Sequence, residues 1–207
     1  MLLEANNITI AYGDIQAVSG VNFHIERGEL VSIIGANGAG KTSILNSIMG
    51  LVPLKRGSIH FKGDDITTRP AHKRANSGIR IVPERARLFP RLTVMENLLT
   101  GVYRLRKKLP VAQRIKWLYS LFPILESRKA QPAATLSGGE LVDQVFDQLR
   151  VLNQENGLSI LLVEQNAVAS LEISQRAYVL ETGTCVYRGN AAEMLRDSRI
   201  KEAYLGH

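Results

Sequence analysis

The segment Gly35–Thr42, which reads GANGAGKT, constrains the fold of this chain more than any other stretch. It matches the pattern G-x-x-x-x-G-K-[S/T] and stands between a nearly continuous apolar run, Leu30–Ile34, and a segment of helical character, Ser43–Met49. Glycines let the backbone curl so that several N–H groups face a phosphate, and the following helix adds partial positive charge. The apolar run is typical of a strand buried on both faces of a parallel sheet. The sequence therefore predicts an α/β fold with a phosphate-binding loop.

The residue types in this loop indicate its chemistry. We expect the Gly35–Gly40 backbone and the ammonium group of Lys41 to bind phosphates, and the Thr42 hydroxyl to ligate Mg²⁺. The predicted loop residues are Gly35, Ala36, Asn37, Gly38, Ala39, Gly40, Lys41, Thr42 and Ser43. A glycine-rich turn with an incidental lysine is the alternative, and the placement between strand and helix argues against it. The loop alone does not name the reaction, because kinases, GTPases and ATPases share it.

Apolar patterns elsewhere predict two layers of strands. The alternating segments Ile8–Tyr12 and Val21–Ile25 are typical of half-buried strands in an antiparallel layer. Ile79–Val82 and Ile160–Val163 have the same character as Leu30–Ile34, so we expect them in the parallel sheet, buried on both faces.

The middle and the end of the chain carry other signals. Val94–Glu126 has helical apolar spacing interrupted by Pro110 and Pro123, which predicts a helical insertion on one side of the sheet. Ala177–Leu180 and Thr184–Tyr187 flank a short Glu-Thr-Gly turn, which predicts a β-hairpin.

Composition limits the classes of function. With 207 residues, 45% hydrophobic and 22% charged, the chain is typical of a globular protein with a sizeable core. The lone cysteine, Cys185, excludes an intramolecular disulfide. The chain opens without a leader pattern, and its apolar runs are far shorter than the ~20 residues of a membrane span, so we expect a cytoplasmic protein whose membrane role is peripheral. The net charge of +7 comes with no zinc-finger or RNA-binding pattern, so we expect no nucleic-acid partner.

A second motif narrows the choice among proteins with phosphate loops. The segment Leu136–Glu140 reads LSGGE, and Ser137 is suited to cap a helix whose first N–H groups face an anion. Five residues alone are weak evidence, but their position behind a helical insertion that follows a phosphate loop is specific. With these two motifs the chain resembles the ATP-binding subunits of ABC transporters over its whole length.

The resemblance implies roles for further residues. In this family the signature motif, here Leu136, Ser137, Gly138, Gly139 and Glu140, closes over the γ-phosphate of ATP held by a second ATPase domain. Tyr12 matches the aromatic residue that stacks on adenine. Glu84 stands in the Q-loop where the family usually has glutamine, and Gln165 stands in the switch loop in place of histidine; both are taken as nucleotide sensors. These departures, with AYLGH at the C-terminus, resemble the LivF-type subunits of branched-chain amino acid importers.

The implied function is coupling of ATP binding and hydrolysis to amino acid uptake, with urea or amide importers as close alternatives. ATP and Mg²⁺ are the implied cofactors. The implied partners are a second ATP-binding subunit, forming a heterodimer, the transmembrane permeases and, indirectly, a periplasmic or extracellular amino-acid-binding protein. The implied location is the cytoplasmic face of the membrane. The implied organisation is one ATPase domain, with residues 1–90 and 141–207 as core and β layer and residues 91–140 as a helical subdomain.

One part of the family pattern is missing from this sequence. In the family, the signature helix leads to a buried strand that ends in the Walker B aspartate and the catalytic glutamate. Here Glu140 is followed directly by Leu141–Glu155, which resembles the helix beyond that region. About one βα unit, roughly 25–30 residues, is absent. The nearest substitute for the catalytic glutamate is Glu164 after Ile160–Val163, but its context matches the switch region.

The absence leads to three expectations. No catalytic residue is identified, and ATP is expected to bind but to be hydrolysed slowly, since a positioned base is worth about 10²–10⁴ in rate. Without a central strand the chain is expected to fold poorly unless another element fills the space, for which the helical stripe within Glu140–Glu155 is the candidate. A nucleotide-binding module without hydrolysis therefore stands as an alternative. A GTPase or small-molecule kinase is the third hypothesis, and it lacks an Asn-Lys-x-Asp motif and any use for LSGGE.

Overall fold

The computed structural model describes residues 1–82, 88–103, 110–135, 139–197 and 200, with the backbone alone for residues 139–144. The chain divides into two units, one formed by Met1–Ile81 with Val145–His207 and the other by Val82–Gln144. The described strands are β1 (Leu3–Tyr12), β2 (Ile15–Ile25), β3 (Leu30–Ile34), β4 (Arg56–Phe61), β5 (Asp64–Asp65), β6 (Ile160–Glu164), β7 (Arg176–Glu181) and β8 (Thr184–Asn190). The described helices are α1 (Lys41–Met49), α2 (Ala71–Ser77), α3 (Val94–Gly101), α4 (Val111–Leu121), α5 (Pro123–Ser127), α6 (Gly139–Asn156), α7 (Ala167–Ile173) and α8 (Ala191–Met194).

The first sheet is antiparallel, in the order β2-β1-β4-β5. β1 pairs with β2 from Leu3 opposite Ile25 to Tyr12 opposite Ile15, with irregular register in between. Ile8 and Ile10 of β1 and Val21 and Phe23 of β2 are buried as predicted, although Thr9 between the two isoleucines is buried as well. The predicted antiparallel layer is confirmed.

The second sheet has the order β6-β3-β7-β8. β3 lies between β6 and β7 and runs parallel to both, while β8 returns antiparallel to β7 as the predicted hairpin. All five residues of β3 are buried, as its apolar run predicted. An α/β core with an antiparallel layer is therefore confirmed.

Two predictions for this sheet are wrong. Ile79–Val82 forms no strand: Ile79 is buried, but Val82 is 92% exposed. β6 does form, yet each of its residues is only half-buried instead of being buried on both faces. Both differences have the same cause, which is a missing neighbour. Among the described residues, β6 is an edge strand with β3 on one side only, and Ile79–Val82 has no strand to pair with. A parallel strand needs hydrogen-bonded neighbours to be buried on both faces.

The core of the first unit lies on the two faces of β3. Val31 and Ile33 pack with the antiparallel sheet and with Ile44 and Ile48 of α1. On the opposite face, Ile34 packs with a smaller cluster formed by Ala167, Leu171, Ala177, Val179, Ala191, Met194 and Ile200. These two clusters hold the end of β3, and therefore the start of the phosphate loop, in place.

The second unit contains the predicted helices α3, α4 and α5. The two prolines lie where breaks were expected, because Pro110 precedes α4 and Pro123 is the first residue of α5. Thr93 and Glu96 form a reciprocal capping box at the start of α3. Among the residues that the structure describes, no helix has the length and apolar character to span a membrane.

Helix α6 follows the predicted segment and contains the boundary between the two units. Within its described side chains, Phe146 and Leu149 are only half-buried, and Asn153 is buried. The Asn153 side chain donates to the carbonyls of Gly28 at 2.7 Å and Leu158 at 2.8 Å. The helix thus adds little apolar core, and in the described chain no strand takes the position outside β6.

Candidate nucleotide-binding site

The candidate site lies at the carboxyl-terminal edge of the parallel strands. β3 ends at Ile34, and the phosphate loop begins with the next residue. β6 runs parallel beside β3 with Glu164 opposite Ile34, so Gln165 follows at the same edge. Ligands of open α/β sheets bind outside the carboxyl ends of the strands, which makes this edge the expected place for a nucleotide.

Two glycines of the loop are required by close packing. Gly40 has φ 101°, and a Cβ atom there would lie 2.6 Å from the Ala17 carbonyl oxygen. A Cβ atom at Gly35 would lie 2.3 Å from the Leu180 carbonyl oxygen. Both distances are far below a normal contact, so side chains at these positions would push the loop away from β2 and β7. Gly38 also has positive φ, but open space surrounds it.

The Lys41 side chain is folded back into the loop. Its residue is 9% exposed, and its Nζ donates to the carbonyl oxygens of Gly35 at 2.8 Å and Ala36 at 2.9 Å. The first hydrogen bond of α1 runs from Ile44 N to Gly40 O at 3.1 Å, so the amides of the preceding turn have no acceptor within the helix. The first turn of α1 carries no acidic residue. An ammonium group beside the positive end of a helix fits an anionic phosphate.

The structure brings Tyr12 to the same helix. The Tyr12 hydroxyl donates to Ser43 Oγ at 3.4 Å, and the side chain stands 47% exposed at the end of β1. Two residues that were predicted from different motifs are therefore neighbours. An exposed aromatic ring close to a phosphate loop is chemically suited to stack on a base, and this role of Tyr12 stays a prediction.

The predicted metal ligand is accessible. Thr42 is exposed at the second position of α1, next to Lys41. Within the part of the chain that the structure describes, no group of three or more His, Cys, Asp and Glu side chains could hold a metal ion. Mg²⁺ commonly takes one or two protein ligands and completes its octahedron with phosphate oxygens and water, so Thr42 fits a nucleotide-bound ion.

The β7–β8 hairpin supports the phosphate loop, which its sequence pattern does not reveal. The Gly183 amide donates to the Ala39 carbonyl at 3.1 Å, and the Ser19 amide donates to the Gly183 carbonyl at 2.8 Å. Gly183 has φ 80°, and a Cβ atom there would lie 2.6 Å from the Ala17 carbonyl oxygen. The hairpin tip therefore braces the phosphate loop against β2. The turn glycine was visible in the sequence, but its contact with the loop was not.

Several predicted residues lie outside the described part. Glu84, Leu136, Ser137 and Gly138 lie outside the described residues, and Gly139 and Glu140 are described only by the backbone of α6. Gln165 is exposed after β6. The backbone N–H of Gln165 donates to the side-chain carboxylate of Glu164 at 3.2 Å. The roles of the Q-loop, the signature motif and the switch residue stay predictions.

Comparison with known proteins places these features in context. The family model described as ABC transporter matches residues 18–161. The high-affinity branched-chain amino acid transport ATP-binding protein BraG of Pseudomonas aeruginosa is 35% identical over 234 residues, covering 99% of this chain and all of that protein. The lipopolysaccharide export system ATP-binding protein LptB of Escherichia coli K12 is 31% identical, with 99% and 97% covered.

Solved structures show the same fold. An ATP-binding cassette of an ABC transporter superposes with a TM-score of 0.83 at 23% identity, covering 99% of both chains. A bacterial ABC transporter cassette solved as a dimer superposes with a TM-score of 0.78 at 21% identity, covering 92% of this chain and 99% of that one. The sequence alignments with BraG and LptB extend over 234 residues, more than the 207 of this chain. Each relative therefore has residues without a counterpart here.

Proposed function

Because the chain belongs to the ABC transporter family of ATP-binding subunits, we propose that it serves an importer of branched-chain amino acids. Two relatives over almost the whole chain support this substrate class, since BraG and the LivF protein of Archaeoglobus fulgidus are both named for branched-chain amino acid transport. LptB, at 31% identity, is named for lipopolysaccharide export. The substrate is for this reason the part of the proposal that transport experiments must test.

The observation that carries nucleotide binding is the arrangement of the phosphate loop. The Lys41 ammonium group, the first turn of α1 and the exposed Thr42 hydroxyl lie on one short stretch of chain. In the proposal, Lys41 and the loop amides bind the phosphates and Thr42 ligates Mg²⁺, which neutralises phosphate charge when bound. Tyr12 stacks on the adenine ring, held near α1 by its hydroxyl contact with Ser43.

The working assembly follows from the family. ABC ATPase domains work as dimers together with transmembrane permeases, and a dimeric cassette is among the similar solved structures. The proposal adds that the second subunit is a related chain, giving a heterodimer on the cytoplasmic face of the membrane. The signature residues Leu136–Glu140 address the ATP held by that subunit. Glu84 and Gln165 sense the nucleotide, and a binding protein on the other side of the membrane delivers the amino acid.

We further propose that this chain binds ATP but hydrolyses it poorly, although its family hydrolyses ATP. Two observations support this: the described strands leave the position beside β6 empty, and the matched stretches of the relatives are longer than this chain. Glu164 is a weak candidate for the base, because its sequence context matches the switch region of the family. Hydrolysis in the transporter then depends on the other subunit.

Uptake in the native cell tests the substrate. Deleting the gene is expected to abolish high-affinity uptake of radiolabelled leucine, isoleucine and valine while leaving urea uptake intact. Complementation with the unaltered chain should restore uptake, and Lys41→Ala should not. Lys55→Ala is the matched control, because Lys55 is an exposed lysine outside the loop. Loss of urea uptake with normal leucine uptake would overturn the substrate assignment.

Nucleotide binding is tested separately on the purified chain. Lys41→Ala is expected to weaken ATP binding roughly ten- to a hundredfold, as for loss of a charge-assisted contact worth about 1.5–3 kcal/mol. Titration of a fluorescent ATP analogue measures this directly. Equal affinity of Lys41→Ala and the unaltered chain would rule out the phosphate-loop assignment.

A further inference from the structure

In the part of the chain that the structure describes, no strand pairs with the outer edge of β6. β6 pairs in parallel with β3 on one side, from Ile160 opposite Leu30 to Glu164 opposite Ile34. No other described strand lies on its second side. Among the described strands, the amides and carbonyls that point away from β3 therefore have no ladder partner.

Both faces of this strand are apolar. Leu161 and Val163 pack against the main core, and the alternation of side chains along a strand places Ile160 and Leu162 on the other face. Every residue of β6 nonetheless keeps part of its surface accessible. Leu158, just before the strand, is 49% exposed, so the apolar surface continues past its beginning.

The two edges of the sheet differ in their protection. Asn156–Val163 contains no charged residue, and Glu164 stands only at the end of β6. β8, at the opposite edge, carries Arg188 and has a register shift in its pairing with β7. Charges and irregularities are the usual means by which edge strands avoid pairing with other chains. Of the two described edges of this sheet, only the β6 edge has neither charged residues along its length nor a register shift.

We propose that a second copy of this chain pairs with β6 along this edge, antiparallel and across a two-fold axis. A strand that covers β6 must be apolar on both faces, and the same four residues of a second copy meet that requirement. Antiparallel pairing places the two Glu164 carboxylates at opposite ends of the strand pair. Parallel pairing would place them side by side, where like charges repel. The result is one sheet that continues through both copies, as in other isologous contacts.

This association does not use the nucleotide site. Its contacts involve β6 alone, whereas the ATP-dependent contact of the family uses the phosphate loop and the signature motif. The inference thus goes beyond the proposed function and holds or fails independently of it. The nucleotide-free protein is the right sample, because ATP-dependent dimers are absent from it.

Sedimentation velocity of the nucleotide-free chain over a hundredfold range of concentration tests the pairing. The unaltered chain is expected to shift from monomer to dimer as concentration rises. Leu162→Lys should raise the dimer dissociation constant at least about tenfold, because each dimer then carries two cations on the shared edge. Because Leu162 lies on the other face of β6, this substitution leaves the core contacts of Leu161 and Val163 unchanged. Val186→Lys is the matched control, since Val186 is 45% exposed on β8 at the opposite edge, and it should leave the constant unchanged.

Hydrogen exchange of the unaltered chain gives a second readout that does not depend on how the variants fold. The amides of Ile160–Glu164 should become more protected as concentration rises, while those of Thr184–Asn190 should not change. A chain that stays monomeric throughout would overturn the proposal. So would a dimer that Leu162→Lys and Val186→Lys weaken equally, or one without added protection in β6.

Discussion

Gly40 shows most directly how a single residue holds the nucleotide site. It precedes α1 in the left-handed region at φ 101°, and Ala17 and Val18 crowd the position of a Cβ atom. Gly38, two residues earlier, has φ 84° and open space around it. The two glycines therefore separate the effect of backbone strain from the effect of crowding.

We predict that Gly40→Ala destabilises the chain more than Gly38→Ala. Both substitutions place alanine in a left-handed conformation, at a cost of about 1 kcal/mol each. Only Gly40→Ala also displaces the loop from β2, which should weaken ATP binding as well. Chemical denaturation and titration with a fluorescent ATP analogue measure the two effects. Equal losses in the two variants would mean that crowding at Gly40 has no role.

Arg74 is a buried cation held by backbone carbonyls. Its guanidinium donates to the carbonyl oxygens of Ser47 at 2.6 Å, Ile48 at 2.9 Å, Thr67 at 2.8 Å and Arg69 at 2.6 Å. Burial lowers the pKa of this guanidinium, the nearby charge of Arg69 adds to the effect and that of Asp65 opposes it. The first two carbonyls belong to the end of α1, where a cation also meets the negative end of the helix.

Arg74→Lys is predicted to lower the free energy of unfolding by about 1–3 kcal/mol. A lysine keeps the charge but lacks the planar fork that reaches several carbonyls together, so some buried acceptors lose their donors. Urea denaturation measures the loss. Lys73→Arg, on the exposed neighbour, should change stability little. A stable Arg74→Lys protein would show that the fork is dispensable.

At the scale of elements, the capping box of α3 makes one helix end sensitive to acid. The Glu96 carboxylate accepts from the Thr93 amide at 2.7 Å and from the Thr93 hydroxyl at 2.8 Å. These two hydrogen bonds lower the pKa of Glu96, the backbone one most. A carboxyl group with a lowered folded-state pKa stabilises the fold above its unfolded pKa. This stabilisation is lost as pH falls through the folded-state pKa.

We predict that α3 frays at acidic pH because of this carboxylate. A proton–carbon NMR titration of Glu96 should give a pKa below the ordinary glutamate value, and Thr93→Val should return it toward that value. Hydrogen exchange of the first turn of α3, corrected for the intrinsic pH dependence, should speed up on acidification, and it should do so less in Thr93→Val, which keeps the backbone hydrogen bond but loses the hydroxyl one. A Glu96 pKa that Thr93→Val leaves unchanged would contradict the role of the cap.

Elements also show where prediction from the sequence succeeds and fails. The strand–loop–helix around Gly35–Thr42, the β7–β8 hairpin and the prolines before α4 and α5 depend on local signals, and all were predictable. Ile79–Val82 had the apolar content of a buried strand, but a strand also needs a neighbour, which a local pattern does not contain. The brace from Gly183 to Ala39 joins segments far apart in the chain. Such contacts depend on the fold and leave little trace in local spacing.

At the scale of the whole molecule, the proposed absence of a βα unit dominates the prediction of activity. We expect the purified chain to bind ATP and to show little turnover. Insertion of a Walker B strand and its helix after Glu140 should raise turnover about 10²–10⁴-fold. The matched control is the same insertion with its catalytic glutamate replaced by glutamine. Similar ATP affinity in both insertion variants would show that the sites are formed, so that the comparison measures chemistry.

High turnover by the chain without the insertion would contradict this prediction and would assign the base to a residue already present.

The overall α/β architecture was predictable from motifs whose order along the chain fixes the layers. The half-burial of β6 was not predictable from its own residues, because a local pattern does not show whether a second strand pairs with its outer edge.

The brace at the hairpin tip has a thermodynamic consequence for the entire first unit. The Ala39 carbonyl of the loop accepts from Gly183 in the β7–β8 turn, and the Gly183 carbonyl accepts from Ser19 of β2, so the loop is linked through this turn to both sheets. A nucleotide that binds the ordered loop and not the unfolded chain therefore adds its binding free energy to the stability of both layers, by RT ln(1 + [L]/Kd). Melting temperature then becomes a function of ATP concentration, and the two sheets should share a single cooperative transition whose midpoint rises with ligand.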